Sequence, residues 1–319
     1  MSGVSWTLRG PAASSAQTST ESSSRPFVSY SPSVRDGGFV TAMVVTHNRR
    51  DLLRWTLEGI LQQTRMPDDV VIVDNCSSDG TEAMIRAEFP SVRYVRVNED
   101  VGFGAGLARG MASYDRNYDF VWLLEDDSRP HPDALERCLS VASRTQRLGA
   151  IGLGGGKLRR GVPVHGCTGS ALVEGTGAKV YKSDFLLLDP ALVSRDAVEA
   201  VGYPRSDFFI SMEDVEYTNR IRSAGWLVLQ LDEELVERNQ VGSTSASGMA
   251  PPARGYYQSR NHLILALEHR SLAEVFGWIV RQAKFCVAAL LSRDRAPERI
   301  KFRLVGGWHA LRGVRGKTI

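Results

Sequence analysis

The sequence predicts an α/β fold in which a mostly parallel central sheet carries helices on both faces and is followed by a C-terminal helical extension. Three observations carry that prediction. Apolar, β-branched segments alternate with segments of helical periodicity, the connections between them are short, and polar or acidic residues gather where the strands end.

The elements follow in order. "GFVTAMVVTHNR" (38–49) is an apolar run ending in polar residues, a buried strand. "RDLLRWTLEGILQQT" places Leu52, Leu53, Leu57, Ile60 and Leu61 at helical spacing. A second strand, Val70 to Val73, ends at Asp74 and a turn-rich loop, and a helix starts near Thr81 with Ser78 or Asp79 able to cap it. "VRYVRVN" is a third strand, "GFGAGLARGMASY" a Gly-rich loop into a helix, and "DFVWLL" a fourth strand. After Pro130 the alternation blurs. Strand candidates lie in "RLGAIGLGGGKL" and "KSDFLLLDPALVS", a helix near 213–224, and a last strand after it. "VGSTSASGMAPPARG" (241–255) reads as a mobile loop or hinge. "YYQSRNHLILALEHRS" is helical, and "LAEVFGWIVRQAKFCVAALL" carries an apolar stripe through Val275, Phe276, Ile279, Ala283, Cys286, Val287 and Leu290.

At 319 residues the chain can hold one large α/β domain or two smaller ones, with ordinary contents of 43% hydrophobic and 24% charged residues. Net charge is +3, yet ten Arg and Lys residues from Arg281 onward face only Asp294 and Glu298, so the remainder is net acidic. Four scattered cysteines with no CxxC pair argue against a zinc site or disulfide framework and fit a reducing cytoplasm. No run reaches the ~18 apolar residues that span a bilayer. Residues 1–36, rich in Ser, Thr and Ala without an apolar centre, read as a disordered leader and not as a signal peptide.

Groups at the carboxyl ends of parallel strands are where such sheets place function. Thr46 to Arg49, Asp74 with Asn75, and Glu125 to Asp127 all fall there. Three consecutive acids repel unless a cation meets them. Side chains alternate along extended backbone, so Glu125 and Asp127 share a face while Asp126 points away. Two hard oxygen ligands suit Mg²⁺ or Mn²⁺ beside substrate phosphates; the plainer alternative is a solvated strand end. "GFGAG" (102–106) departs from a dinucleotide fingerprint in spacing and in following the third strand. Its glycines let backbone approach a nucleotide or the next strand closely. Glu213 and Asp214 open a helix, either as favourable caps or as a general base. His47 alone among the histidines falls near these groups, and no nucleophile motif supports a covalent hydrolase.

In order, "VVTHNR", "VIVDNCSSDGT", "NEDVGFGAG", "WLLEDDSRPHPDAL", "FFISMEDVEYTNRIRSAGW" and "YYQSRNHLILAL" resemble glycosyltransferase family 2, over roughly residues 38–270. The resemblance implies a GT-A fold, Rossmann-like, with residues 37–255 as the glycosyltransferase domain. Its nucleotide-sugar half would be about 37–130 and its acceptor half about 131–240, with 256–319 a basic helical segment. Thr46, Asn48, Arg49, Asp74, Gly104, Gly106, Glu125 and Asp126 would serve the nucleotide-sugar. Asp127 and Glu125 would hold Mn²⁺ or Mg²⁺, and Asp214, with Glu213 beside it, would be the catalytic base. Related enzymes often carry a metal-binding His after the last strand; here "LDEELVERNQVGS" offers Glu237 or Asn239. Within the family, "FISMEDVEY" and "YYQSRN" look most like bacterial galactofuranosyltransferases and rhamnosyltransferases of cell-wall glycan assembly.

The expected reaction is inverting transfer from UDP-galactofuranose to a polyprenyl-linked or other envelope glycan acceptor, with dTDP-rhamnose as the alternative donor. The basic amphipathic C-terminus would meet anionic lipid headgroups, placing the protein at the inner face of the cell membrane, or would simply pack as a helix with a solvated tail. No motif supports nucleic-acid binding. Two rivals are a nucleotidyltransferase, which would need a Gly-rich basic loop after the first strand, and a non-catalytic glycan-binding or scaffolding homologue.

Overall fold

The computed structural model describes residues 38–113, 118–166, 169–239 and 250–319. The expected leader and most of the Gly/Ser/Pro-rich stretch lie outside them. The parallel half is built as the periodicity requires: β1 (Val40–Thr46), α1 (Arg50–Leu61), β2 (Asp69–Asn75), α2 (Thr81–Glu88), β3 (Arg93–Val97), α3 (Phe103–Ser113) and β4 (Phe120–Glu125). Asp79 accepts the Thr81 amide at the start of α2.

The second half is more broken. It comprises β5 (Ser128–Pro130), α4 (Ala134–Ala142), β6 (Leu148–Gly152), β7 (Gly155–Arg159), β8 (Val162–His165), β9 (Ala171–Leu172), β10 (Lys179–Lys182), β11 (Phe185–Leu186) and β12 (Ala191–Ser194). Then follow α5 (Arg195–Val201), α6 (Glu213–Ser223), β13 (Leu227–Leu231), β14 (Val236–Arg238) and three helices, α7 (Pro252–Glu268), α8 (Leu272–Ser292) and α9 (Ala296–Leu311).

Nine strands form one sheet in the order β3-β2-β1-β4-β12-β6-β13-β10-β9. β1 to β4 are parallel, β12 runs against both its neighbours, and β6 and β13 are again parallel. Strand alternation sorts the core into two layers. Val44, Ile72, Trp122 and Leu124 pack under Leu53, Leu57, Ile60 and Leu135 of α1 and α4. Met43, Val73, Val121 and Leu123 pack on the other face under Leu107 and Met111 of α3 and Tyr217 and Ile221 of α6. Burial on both faces explains why these strands read as continuous apolar runs.

A third cluster joins the approach to α6 to the C-terminal helices, with Phe208, Met212 and Val215 against Leu263, Leu265 and Ala310. Gly102, at φ +82°, lets α3 begin against this region, because a Cβ there would lie 1.7 Å from the Phe209 carbonyl oxygen.

One expectation from composition needs correcting. α8 is 21 residues long with a mean hydropathy of 1.3, long and apolar enough to cross a membrane by length and composition alone. Arg281 and Lys284 interrupt its apolar run, which hid this in the sequence. Only Gly277 and Ala289 of the helix are buried, while Phe276, Ile279, Val287, Leu290 and Leu291 are exposed, as is Trp308 of α9. Four of the ten basic residues from Arg281 onward form ion pairs among the described residues: Arg299 with Asp294, Arg295 with Glu298, Arg315 with Asp207 and Glu268, and Lys317 with Asp100.

Candidate active site

A cleft of about 780 Å³ opens along the carboxyl ends of β1, β2 and β4. Thr46, His47 and Arg49 enter it after β1, Asn75 after β2, and Glu125, Asp126 and Asp127 after β4. Opposite stand Glu213 and Asp214 at the start of α6, Arg254 and Gln258 of α7, and Arg281 of α8.

Glu125 and Asp127 do share a locus, and the structure adds a third acid, Asp189. One carboxylate oxygen from each lies within 4.8 Å of the others. Asp189 precedes an antiparallel strand, so the start of β12 falls beside the end of β4. Its Oδ1 accepts the Glu125 amide at 3.0 Å, and its Oδ2 accepts from Ser128 Oγ at 2.5 Å and Arg238 Nε at 3.1 Å. Asp126 turns away into the protein, where Thr46 Oγ1 donates to it at 2.8 Å. Arg49 Nη1 bridges Asp126 and Asp127 at 3.0 Å each.

Four carboxylates thus crowd around two paired guanidiniums, Arg49 and Arg238. Burial pushes the Glu125 carboxyl well above its ordinary value, and repulsion from Asp189 and Asp127 adds to that. Burial likewise raises Asp127, although Arg49 opposes it. Three converging carboxylate oxygens fit a hard divalent ion such as Mg²⁺ or Mn²⁺, which takes its remaining ligands from phosphate or water.

Glu237 and Asn239 do not take part in this cluster. Glu237 alternates with Arg238 on β14, so Arg238 faces the cleft while Glu237 is exposed. Asn239 reaches Asp127 only through its backbone amide.

Across the cleft, Asp214 Oδ1 accepts the Val215 amide at 2.7 Å, within the first turn of α6. Its carboxyl is raised by burial, against the favourable amide field. Glu213 is 6% exposed, and its Oε2 has no partner among the described residues. Burial, then the neighbouring Asp214, pushes its carboxyl up to about 7. The backbone that aims this pair is unusual, since Ser211 (φ 70°) and Met212 (φ 75°) are both left-handed. Asn261 of α7 holds it by donating to the carbonyls of Ile210 and Ser211.

Other expected residues fall behind the cleft wall. Asp74 is fully buried and its oxygens are engaged by Tyr94, Arg96 and the Ser77 amide, so it anchors the loop after β2 and does not line the cleft. Asn48 ties the loop after β1 to that loop by accepting the Ser78 amide. Gly104 and Gly106 lie in the first turns of α3, not in a loop. A Cβ on Gly104 would sit 3.0 Å from Glu213 Cβ, and one on Gly106 2.7 Å from Val45 Cγ1, so their smallness seats α3 against the sheet and α6. Asp189, Arg238, Arg254, Arg281 and the role of Asn261 escaped the sequence reading.

The comparisons with known proteins bear on family and fold. The family model described as Glycosyl transferase family 2 matches residues 41–165, the segment that supplies β1 to β4 and the first two acids of the cluster. Residues 41–165 are a glycosyl transferase family 2 domain.

Among curated relatives, this chain is 28% identical over 202 residues to galactofuranosyltransferase GlfT1 of Mycolicibacterium smegmatis, covering 58% of the chain and 66% of that protein. It is 24% identical over 304 residues to N-acetylglucosaminyl-diphospho-decaprenol L-rhamnosyltransferase of Mycobacterium tuberculosis, covering 84% and 98%. The chain therefore spans slightly less than two thirds of the first relative's length. A solved structure, mannosyltransferase PcManGT from Pyrobaculum calidifontis in complex with GDP-Man and Mn²⁺, superposes with a TM-score of 0.50 at 17% identity, covering 89% of this chain and 91% of that one. The shared architecture is the GT-A fold.

Proposed function

We propose that the chain is an inverting glycosyltransferase that moves galactofuranose from UDP-galactofuranose to a hydroxyl of a polyprenyl-linked or other cell-envelope glycan acceptor. The observation that carries this reading is the pairing, across one cleft, of the Glu125, Asp127 and Asp189 triad with the Glu213 and Asp214 pair. Mn²⁺ or Mg²⁺ at the triad would neutralise donor diphosphate charge. Thr46 holds Asp126, and Arg49 bridges Asp126 to Asp127, which fixes one member of the triad. Asn48 and Asp74 brace the loops beneath the nucleotide, and Gly104 and Gly106 let α3 bring Glu213 close.

Asp214 is the group assigned to take the acceptor hydroxyl proton as that oxygen attacks the anomeric carbon from the face opposite the leaving nucleotide. Glu213, held neutral up to about 7, keeps a second negative charge away from Asp214. Attack from the opposite face inverts configuration in one displacement, without a covalent intermediate.

A dTDP-rhamnose donor is the second reading, favoured by the near full-length match to a rhamnosyltransferase. The exposed apolar faces of α8 and α9, with unpaired Lys284, Arg293, Lys301 and Arg312 among the described residues, would rest on an anionic membrane surface, where a prenyl-linked acceptor resides. On this reading the protein is peripheral, on the inner face of the cell membrane.

Calorimetric titration of UDP and dTDP, each with and without Mn²⁺, tests the donor. Mn²⁺-dependent UDP binding supports galactofuranosyl transfer, a dTDP preference moves the assignment to rhamnose, and binding of neither by folded protein rejects both.

A further inference from the structure

Two cleft arginines have no part in the donor and base chemistry above. Arg254 sits in the first turn of α7 and Arg281 in the middle of α8, and both line the cleft. Arg49 and Arg238 are each paired with carboxylates, whereas neither Arg254 nor Arg281 forms an ion pair among the described residues. Arg281 Nη1 instead lies 3.4 Å from His262 Nδ1 and 3.6 Å from Met212 Sδ. His262 supplies no counter-charge. Burial and the adjacent guanidinium push its pKa down to about 3, so it is neutral.

A recessed guanidinium without a counter-anion is costly to hold, and burial alone disfavours the charged form of Arg281. Such a charge is explained where a ligand supplies the anion. Position says which ligand. The one described carboxylate that acts through space on Arg281 is Asp214, not a member of the acid triad. Arg254 acts on Glu213 and Asp214 as well as on Glu125. Arg281 therefore faces the side of the cleft where the base meets its acceptor, and Arg254 stands between that side and the triad. α8 adds an independent observation. Ile279 and Leu290 lie on the face of the helix opposite Arg281, at about 3.6 residues per turn, and both are exposed. One helix thus turns a cation inward and an apolar surface outward.

We propose that Arg254 and Arg281 bind a phosphate or diphosphate group carried by the acceptor. The inference rests on the acceptor reading above. Guanidinium forks match phosphate oxygens in paired hydrogen bonds, and they do so without a metal. An acceptor with an anionic head and an apolar tail would place the head on these two side chains while α8 and α9 rest against the phase that holds the tail.

The test is calorimetric titration of the full chain with inorganic pyrophosphate in EDTA, and separately with UDP and Mn²⁺. Arg281→Gln and Arg254→Gln are expected to weaken pyrophosphate binding about tenfold or more, to leave UDP binding within about twofold of the wild type, and to melt near the wild-type temperature. Arg281→Lys, which keeps the charge, should retain most of the affinity. Equal weakening of UDP would move the anion to the donor and overturn the acceptor assignment. Unchanged pyrophosphate affinity in both Gln variants, or no pyrophosphate binding by the wild type at millimolar concentration, would overturn the site. Failure of the donor reading shows separately, as absent UDP binding by the wild type.

Discussion

The side-chain amide of Asn261 donates to the Ser211 carbonyl at 2.8 Å. Asn261 is fully buried in α7, and it also donates to Ile210 at 3.0 Å and accepts from Arg260 Nε at 3.0 Å. It clamps the two left-handed residues that turn the chain into α6. Non-glycine residues in that conformation cost about 1–3 kcal/mol each and persist only where their surroundings hold them. Asn261→Ala should therefore release Glu213 and Asp214. We expect turnover to fall about tenfold or more while UDP affinity is retained, with a stability loss of about 1–3 kcal/mol from the unpaired carbonyls. Turnover, UDP titration and a melting curve on the same variant separate these effects, and a loss of stability with unchanged turnover would remove Asn261 from the positioning role.

The acid triad predicts which carboxylate matters to a metal. A ligand that binds only the folded state stabilises it by about 2.7 kcal/mol at one hundred times its dissociation constant. Saturating Mn²⁺ should thus raise the melting temperature of the wild type. Asp189→Ala should abolish that increment, whereas Glu237→Ala should leave it intact. The opposite pattern would return Glu237 to the metal site.

Glu213 makes folding sensitive to pH in a defined direction. Its carboxyl is raised from 4.5 to about 7, so the folded state keeps a proton that the unfolded chain has released. Stability from this group is complete below about 4.5 and declines as pH rises towards and through 7. Glu213→Gln should flatten the stability profile over that interval. Melting curves at closely spaced pH values would show it, and an unaltered slope would mean that Glu213 ionises normally.

The outer face of α8 should hold the protein on lipid. Leu290 and Leu291 are 60% and 80% exposed, so replacing both with Glu should change stability by no more than about 0.5 kcal/mol each. Co-sedimentation with anionic vesicles should nevertheless fall several-fold. Equal sedimentation of variant and wild type would assign that face to something other than a bilayer.

Legibility in the sequence followed strand direction. β1 to β4 each run the same way and are followed by their own connections, so Thr46, Arg49, Glu125 and Asp127 could be placed at one edge without coordinates. Asp189 escaped because it begins a strand, and the rule that function gathers at strand ends looks past strand beginnings. Arg238 is not legible because an arginine after the last strand is no metal ligand; its cation serves by pairing with Asp189. Arg254 and Arg281 sit on helices whose periodicity speaks only of packing; nothing in a 3.6-residue repeat marks which polar interruption faces a cavity. Asp74 and Asp126 stand at strand ends, but their partners Tyr94, Arg96 and Thr46 come from other segments, and such pairings are invisible to local pattern.

The reversed direction of β12 has a consequence for folding fidelity. Ala191 pairs with Leu123 of β4 on one side and Gly152 of β6 on the other, and Asp189 reaches Glu125 and Asp127 only in that alignment. A slip of one residue would carry Leu188 to the cluster and send the carboxylate to the opposite face of the sheet. An ion held by the three acids would thereby report on strand alignment. A chain that binds such an ion would have matched two opposed strands correctly, and a misthreaded one would lack the third ligand.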